Sequence, residues 1–395
     1  MVVELTVQDG ALLLLIAVVV AILTRRFQLP YNVGLVAAGI GLAASPWAPN
    51  VELTKDLIFS ILLPPLLFEA AFSIRWKPLR RDAPVIALLA TVGVTLSAGI
   101  TALGMQFVAG WQAAPAWVFG VLIAATDPVS VIATFREAQA RGRLLLLLET
   151  ESLFNDGTAA VGFAVAVAIA GGQHLNGIEI GLSMLTNIGG GILVGMVVGV
   201  GSLLLTGRTG DHLVEMTVTT IAAYGSFLIA ERFHTSGVLA TIAAGLVLGN
   251  VNGIGAFTER GREAVVEFWE FAAFITNSLV FLLIGMHAAR QNFLAIWPAA
   301  LLAIGLVILG RAFAIYPCCL VFEKSPLRVS SAYKLVLFWG GLRGALALAL
   351  ALGLPAGIPR RDEILTISFA VVAFSVFAQG LTIPPLLRRL GERVL

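Results

Sequence analysis

The chain has 395 residues, 58% of them hydrophobic and only 12% charged, about half the charged share of a typical soluble domain. With a mean hydropathy of +0.95 it reads as an all-α polytopic membrane protein, with no soluble domain expected at either end. The net charge of +2 offers no basic field for nucleic acid, and Cys318 and Cys319, adjacent and the only cysteines, exclude a disulfide framework and a cysteine metal site. His174, His212, His234 and His287 fall near predicted helix ends without metal-ligand spacing and are expected at the membrane interface. No cofactor is implied.

Apolar runs divide the chain into thirteen predicted spans: 9–24, 30–47, 53–74, 83–108, 115–138, 144–170, 178–206, 213–231, 235–249, 264–287, 292–322, 333–354 and 363–387. The first has no basic n-region and no cleavage site, so it is expected to remain as a span. Of the 25 Lys and Arg residues, eighteen fall in the loops after the odd-numbered spans and at the C-terminus, and five on the other side. Basic residues concentrate in the cytoplasm. The N-terminus is therefore expected outside and the C-terminus inside.

In span 3, Pro64 and Pro65 remove two amide donors and are expected to kink the helix. Glu69 follows a turn later. It either lines a funnel through which an ion enters or snorkels at the interface. In span 5, Ala125-Thr126-Asp127-Pro128 predicts a break at Asp127, because proline disfavours helical geometry in the residue before it. A broken helix in the membrane frees carbonyls and helix ends that coordinate ions.

Span 6 carries the densest chemistry. At 100° per residue, Glu151 stacks under Asn155 and Ser152 under Asp156, giving one polar face on an otherwise apolar helix. An ionised residue in mid-membrane costs about 2.5–3.5 kcal/mol on insertion scales. Such a face is tolerated only where it looks into protein or water. Four polar groups there point to an ion or proton site rather than to a simple helix contact.

Span 7 holds Gly189, Gly190, Gly191, Gly195, Gly199 and Gly201, which predicts close helix packing. In spans 8 to 10, Glu231, Glu267, Glu270 and Asn277 read as interfacial or packing residues. Arg311 in span 11 and Arg343 in span 12 cannot shed their charge; each needs a carboxylate or backbone carbonyls. The glycines around Arg343 predict a second interrupted helix. Its place in spans 11–13 mirrors span 5 in spans 4–6, the layout of an inverted-repeat transporter. Three buried acids, Asp127, Glu151 and Asp156, stand against two arginines, which leaves one acid without a base. Desolvation disfavours the charged form of such an acid, as a proton carrier requires.

Pro64-Pro-Leu-Leu-Phe-Glu-Ala70, Ala125-Thr-Asp-Pro-Val129, Glu151-Ser-Leu-Phe-Asn-Asp-Gly157, Gly310-Arg311 and Gly340-Gly-Leu-Arg-Gly-Ala345, in this order across nearly the whole chain, resemble the monovalent cation/proton antiporters of the NhaP and NHE type. The resemblance implies an NhaA/NhaP-like fold with two interrupted crossing helices, and a homodimer in a prokaryotic cell membrane. It divides the chain into scaffold helices (1–82), the first half of a transport bundle (83–170), linker and scaffold helices (171–290) and the second half of the bundle (291–395). It implies that Asp156 binds cation or proton beside Asn155, with Thr126, Asp127 and Ser152 around the site and Asp156, Ser152 and Thr126 as Na+ ligands. Glu151 matches the family's helix-bracing acid, with Arg311 preferred over Arg343 as its ion-pair partner. The long cytoplasmic tail of the animal members has no counterpart in this sequence.

The expected function is thus electroneutral Na+/H+ antiport by alternating access, one ion for one proton, since Asn155 stands where a second acid would add a second proton. The alternative within the fold is K+/H+ antiport. A distant alternative is an intramembrane aspartyl protease with Asp127 and Asp156 as its dyad, which leaves Asn155, Arg311 and Arg343 without a task.

Overall fold

The computed structural model describes residues 7–49, 51, 53–127, 132, 142–173, 176–206, 211–250 and 257–391. Every helix and turn of regular structure among them is helical, with no strand. Hydrocarbon offers the backbone no hydrogen bonds, so a membrane chain must satisfy its amides within each segment. Among the described residues, eight helices are long and apolar enough to cross a membrane: Gln8–Phe27, Trp76–Phe107, Arg143–Ala170, Gly177–Thr206, His212–Arg232, Glu259–Ala289, Trp297–Leu320 and Arg361–Leu390. Shorter apolar helices occupy Tyr31–Ala43, Leu57–Ser73, Ala113–Leu122 and Gly237–Asn250.

In chain order the α-helical segments are α1 (Val7–Phe27), α2 (Tyr31–Ala43), α3 (Leu63–Ser73), α4 (Trp76–Leu88), α5 (Val94–Phe107), α6 (Ala113–Leu122), α7 (Arg143–Ala170) and α8 (Gly177–Thr206). They continue as α9 (His212–Arg232), α10 (Gly237–Asn250), α11 (Glu259–Ala289), α12 (Trp297–Leu320), α13 (Ser331–Trp339), α14 (Ala345–Leu352), α15 (Arg361–Phe374) and α16 (Gly380–Leu390).

Three wide turns of π-helix interrupt this pattern, at Leu57–Leu62, Leu89–Gly93 and Ser375–Gln379. The first bears on the expectation for span 3. Pro64 and Pro65 sit in the opening turn of α3, which continues from this turn, and the Ile61 carbonyl, four residues before Pro65, accepts from the Tyr224 hydroxyl at 3.0 Å instead of from the amide that Pro65 lacks. The irregularity falls in the π turn just before them. Span 5 is corrected. Its helix ends at Leu122, several residues before Asp127, and most of 128–141 lies outside the described residues, Pro128 included. Span 12 is interrupted between Trp339 and Ala345, where the glycines predict it.

The helices pack in two sets. α8 and α9 lie on α10, α10 on α3, and α11 on α2 and α3. Separately, α5 packs on α6 and α12, α7 on α4 and α6, and α15 on α12 and α14. Along α8, Gly191 and Gly195 let the backbone of α10 approach directly: a Cβ on either would overlap the carbonyl of Ser236 or Ala240. Gly189 and Gly201 face open space, so the stripe is narrower than the glycine count suggests.

Arg143 ties the second set together at the start of α7. Its Nε donates to Oδ1 of buried Asp82 on α4 at 2.8 Å, and its Nη2 lies 2.7 Å from the same oxygen. Its Nη1 and Nη2 also donate to the carbonyls of Arg328 and Leu327, at 2.6 and 2.7 Å. Arg143→Ala leaves Asp82 buried without its base, and the detergent melting temperature is expected to fall by the equivalent of about 3 kcal/mol. Arg143→Lys should recover only part of that, because one ammonium cannot span a carboxylate and two carbonyls. An unchanged melting temperature in Arg143→Ala would show that the tie contributes nothing.

Candidate functional site

α7 runs for 28 residues without proline, so its side chains keep strict helical spacing. Glu151, Ser152 and Asn155 are buried on one face, with Asp156 beside them partly exposed. The i,i+4 stacking is realised as a hydrogen bond from Asn155 Nδ2 to Glu151 Oε1 at 3.3 Å. The same Nδ2 donates to Thr126 Oγ1 at 3.1 Å. The Ser152 hydroxyl donates to the Thr126 carbonyl and accepts from the Thr126 hydroxyl at 3.4 Å. The polar face of α7 is thereby stitched to the unwound stretch after α6.

The two interrupted helices meet there. The Asp127 amide donates to the Leu342 carbonyl at 2.7 Å, a backbone bond from one break to the other. Each break leaves a helix C-terminus with unsatisfied carbonyls and a partial negative charge, and each is met by an arginine. Arg343 Nη1 donates to the carbonyls of Ala124 and Ala125 beyond α6, at 2.7 and 3.1 Å. Arg311 donates to the Leu337 carbonyl near the end of α13, from Nη2 at 2.9 Å and Nε at 3.3 Å. The opposite polarity is met as well. Gly344 precedes the N-terminus of α14, and a Cβ there would overlap the Asp127 carboxylate; that acid sits at a partly positive helix end. Gly341 plays the same part for Arg311, whose guanidinium fills the space a side chain would need.

Arg311 also grips Glu151 with both nitrogens, Nη1 to Oε1 at 2.7 Å and Nη2 to Oε2 at 3.0 Å. This bidentate geometry fixes both groups in orientation. The grouping of Arg343 with the ion-paired residues meets no carboxylate contact among the described residues: its side-chain hydrogen bonds there go to carbonyls, and its Nε and Nη2 are buried with no hydrogen-bond partner. Matching acids to bases one for one therefore fails, because backbone carbonyls do part of the neutralising.

A cavity of about 550 Å³ reaches this crossing. Its walls come from both helix sets. Arg25 and Glu270 line it at exposed positions, with Glu69 and Glu149 partly buried. Its buried lining includes Thr126 and Ser152, with Asp127 and Asp156 partly exposed to it. Asp156 Oδ1 is buried and accepts no hydrogen bond from the described residues. Thr126, Asp127, Ser152, Asn155 and Asp156 are thus brought to one place, and Glu69 lines the same cavity. These oxygen atoms suit a hard monovalent cation, and a carboxylate among them can exchange that cation for a proton.

Three participants escaped the sequence reading. Ser375, in the last π turn, accepts the Arg343 amide at 2.8 Å and donates to Gln379 Oε1 at 2.5 Å. The Leu337 carbonyl carries no side-chain signal at all. Asn277, read as a packing residue, lines the cavity.

The chain is similar to known ion antiporters. The sodium/hydrogen exchanger transmembrane family matches residues 13–389. The Na(+)/H(+) antiporter ApNhaP of Aphanothece halophytica is 40% identical over 366 residues, covering 92% of this chain and 70% of the relative. The low-affinity Na(+)/H(+) antiporter NhaS1 of Synechocystis is 38% identical over 361 residues, covering 90% and 68%. Among solved structures, the sodium proton antiporter MjNhaP1 of Methanocaldococcus jannaschii superposes with a TM-score of 0.75 at 21% identity, covering 100% of this chain and 98% of that one. The likeness to MjNhaP1 shows the fold, and the family match removes the protease alternative. The chain belongs to the sodium/hydrogen exchanger family and is an integral membrane transporter, not an enzyme.

Proposed function

We propose that the protein exchanges Na+ for H+ by alternating access, with Asp156 as the carboxylate that both ions share. The observation that carries this reading is the setting of Asp156. It lines a cavity that reaches exposed residues, next to Ser152 and Thr126, and no arginine among the described residues is bonded to it. Glu151, by contrast, is held by Arg311 and has a structural part. Asp127 stabilises the crossing at the N-terminus of α14. The relatives' described activity supports Na+ as the cation.

In this reading the second helix set, α4–α7 with α12–α16, is the moving bundle, and α1–α3 with α8–α11 form the scaffold, close to the boundaries 1–82, 83–170, 171–290 and 291–395. Arg25 at the cavity lies on the basic side of the chain, so the cavity opens to the cytoplasm and Glu69 stands in its funnel. The N-terminus is outside and the C-terminus inside. The scaffold is where two copies join as a homodimer. The test is purified protein in liposomes with a pH dye. Na+ should dissipate a preset pH gradient, and K+ should do so far less. Equal or faster dissipation by K+ would reassign the substrate, and no response to either ion would refute antiport.

Stoichiometry follows from Asn155. An amide there cannot carry a proton, so one Na+ trades for one H+ and no net charge moves. The initial rate is expected to stay constant when the vesicle potential is clamped between 0 and about −100 mV, a span worth about 2.3 kcal/mol per charge. A several-fold response would refute electroneutral exchange.

A further inference from the structure

We infer that Asn277 is a scaffold-side oxygen ligand for the transported cation, acting on its way to Asp156. This rests on the antiport reading above. On α11 the cavity is lined by Glu270, Ala273, Phe274 and Asn277. Their spacing of three, one and three residues puts them on one helix face. At 1.5 Å per residue the stripe descends about 10 Å, from exposed Glu270 to Asn277, which is only 7% exposed. Between them lie only an alanine and a phenylalanine. Asn277 is therefore the buried polar end of the scaffold wall.

Its amide is held in one orientation. Nδ2 donates to Asn32 Oδ1 on α2 at 2.8 Å, and Asn32 is 3% exposed. The neighbouring residues brace this contact: Tyr31 stacks on Phe274 with centroids 5.5 Å apart, and its hydroxyl lies 2.7 Å from Ser278 Oγ. With Nδ2 committed to α2, Oδ1 is left buried and accepts no hydrogen bond among the described residues. An amide kept only to pack α2 against α11 would have no need to leave a carbonyl oxygen unpartnered in a residue that lines a cavity, since stranding one is unfavourable. A neutral, pre-oriented oxygen is what a partly dehydrated Na+ can use on the scaffold wall of the cavity that Asp156 also lines. Being uncharged, it can release the ion when the bundle moves.

The test is the Na+ dependence of exchange in proteoliposomes at fixed pH, together with Na+-induced thermal stabilisation in detergent. Asn277→Leu is expected to raise the KM for Na+ about fivefold or more, with the maximal rate within about twofold, the signature of lost cation binding. Asn277→Gln, which keeps an amide oxygen, should restore part of the affinity. Asn32→Leu, which leaves the oxygen but frees the amide to turn, should raise KM by a smaller factor. Should Asn277→Leu resist reconstitution, Asn277→Ser is read in its place by the same criteria. An unchanged KM and an unchanged Na+-induced thermal shift would overturn the inference and reduce Asn277 to packing. Wild-type liposomes run in parallel separate the two ideas: their Na+-driven exchange stands or falls independently of Asn277.

Discussion

Asp156→Asn protein is expected to fold and to sit in the membrane, yet to show no Na+-driven proton flux above protein-free liposomes. The amide keeps the shape of the side chain but can neither gain nor lose a proton in the working range, nor offer a charged oxygen to Na+. Ligand binding stabilises the folded state in proportion to RT ln(1 + [L]/Kd), so the Na+-dependent rise in melting temperature should vanish with the flux. Asp156→Glu displaces the carboxylate by one methylene and should leave transport impaired rather than absent. Near-normal exchange by folded Asp156→Asn would move the site to Asp127, the other aspartate lining the cavity.

The second large effect concerns stability. Glu151→Gln and Arg311→Gln each orphan a buried charge, and each is expected to lower stability by about 3–5 kcal/mol. The double variant should lose distinctly less than the sum, because it removes both charges at once. The two single changes are not equivalent. An orphaned glutamate can take up a proton, whereas an orphaned arginine cannot lose one. Arg311→Gln, however, also strips the Leu337 carbonyl of its donor. The first difference involves a full charge and the second one hydrogen bond, so Glu151→Gln is expected to be the more damaging. Melting temperatures in detergent for the three variants decide this, and strictly additive losses would refute the coupling.

The polar face of α7 was legible because helical periodicity alone brings Glu151 under Asn155 and Ser152 under Asp156. The interruption between α13 and α14 was legible from the glycines, whose places are explained by what packs on them: Arg311 against Gly341 and Asp127 against Gly344. The resemblance prefers Arg311 as the partner of Glu151, and the structure pairs the two; what sequence could not supply was which backbone carbonyls each arginine meets. A guanidinium is satisfied by a carboxylate or by carbonyls, and nothing local says which. Arg311 takes both, across 160 residues to Glu151, while Arg343 bonds carbonyls after α6. That contact also bears on why α6 stops at Leu122 rather than running to Asp127: the carbonyls of Ala124 and Ala125 go to Arg343 rather than into a helix. The π turns at Leu57–Leu62, Leu89–Gly93 and Ser375–Gln379 leave no mark in residue type. The place of Asn277 at the cavity was hidden for a related reason. One polar residue in an apolar helix looks like packing until its neighbours, Asn32 and the cavity, are known.

A single carboxylate shared by Na+ and H+ makes a demand that no two-site arrangement makes, and the KM for Na+ measured against pH in liposomes tests it directly. Competition requires KM to rise as pH falls, approaching about tenfold per pH unit once the site is mostly protonated, while the maximal rate at saturating Na+ changes little. A KM that stays constant while the maximal rate falls would mean that proton and cation bind at separate places, and would contradict Asp156 as their common site.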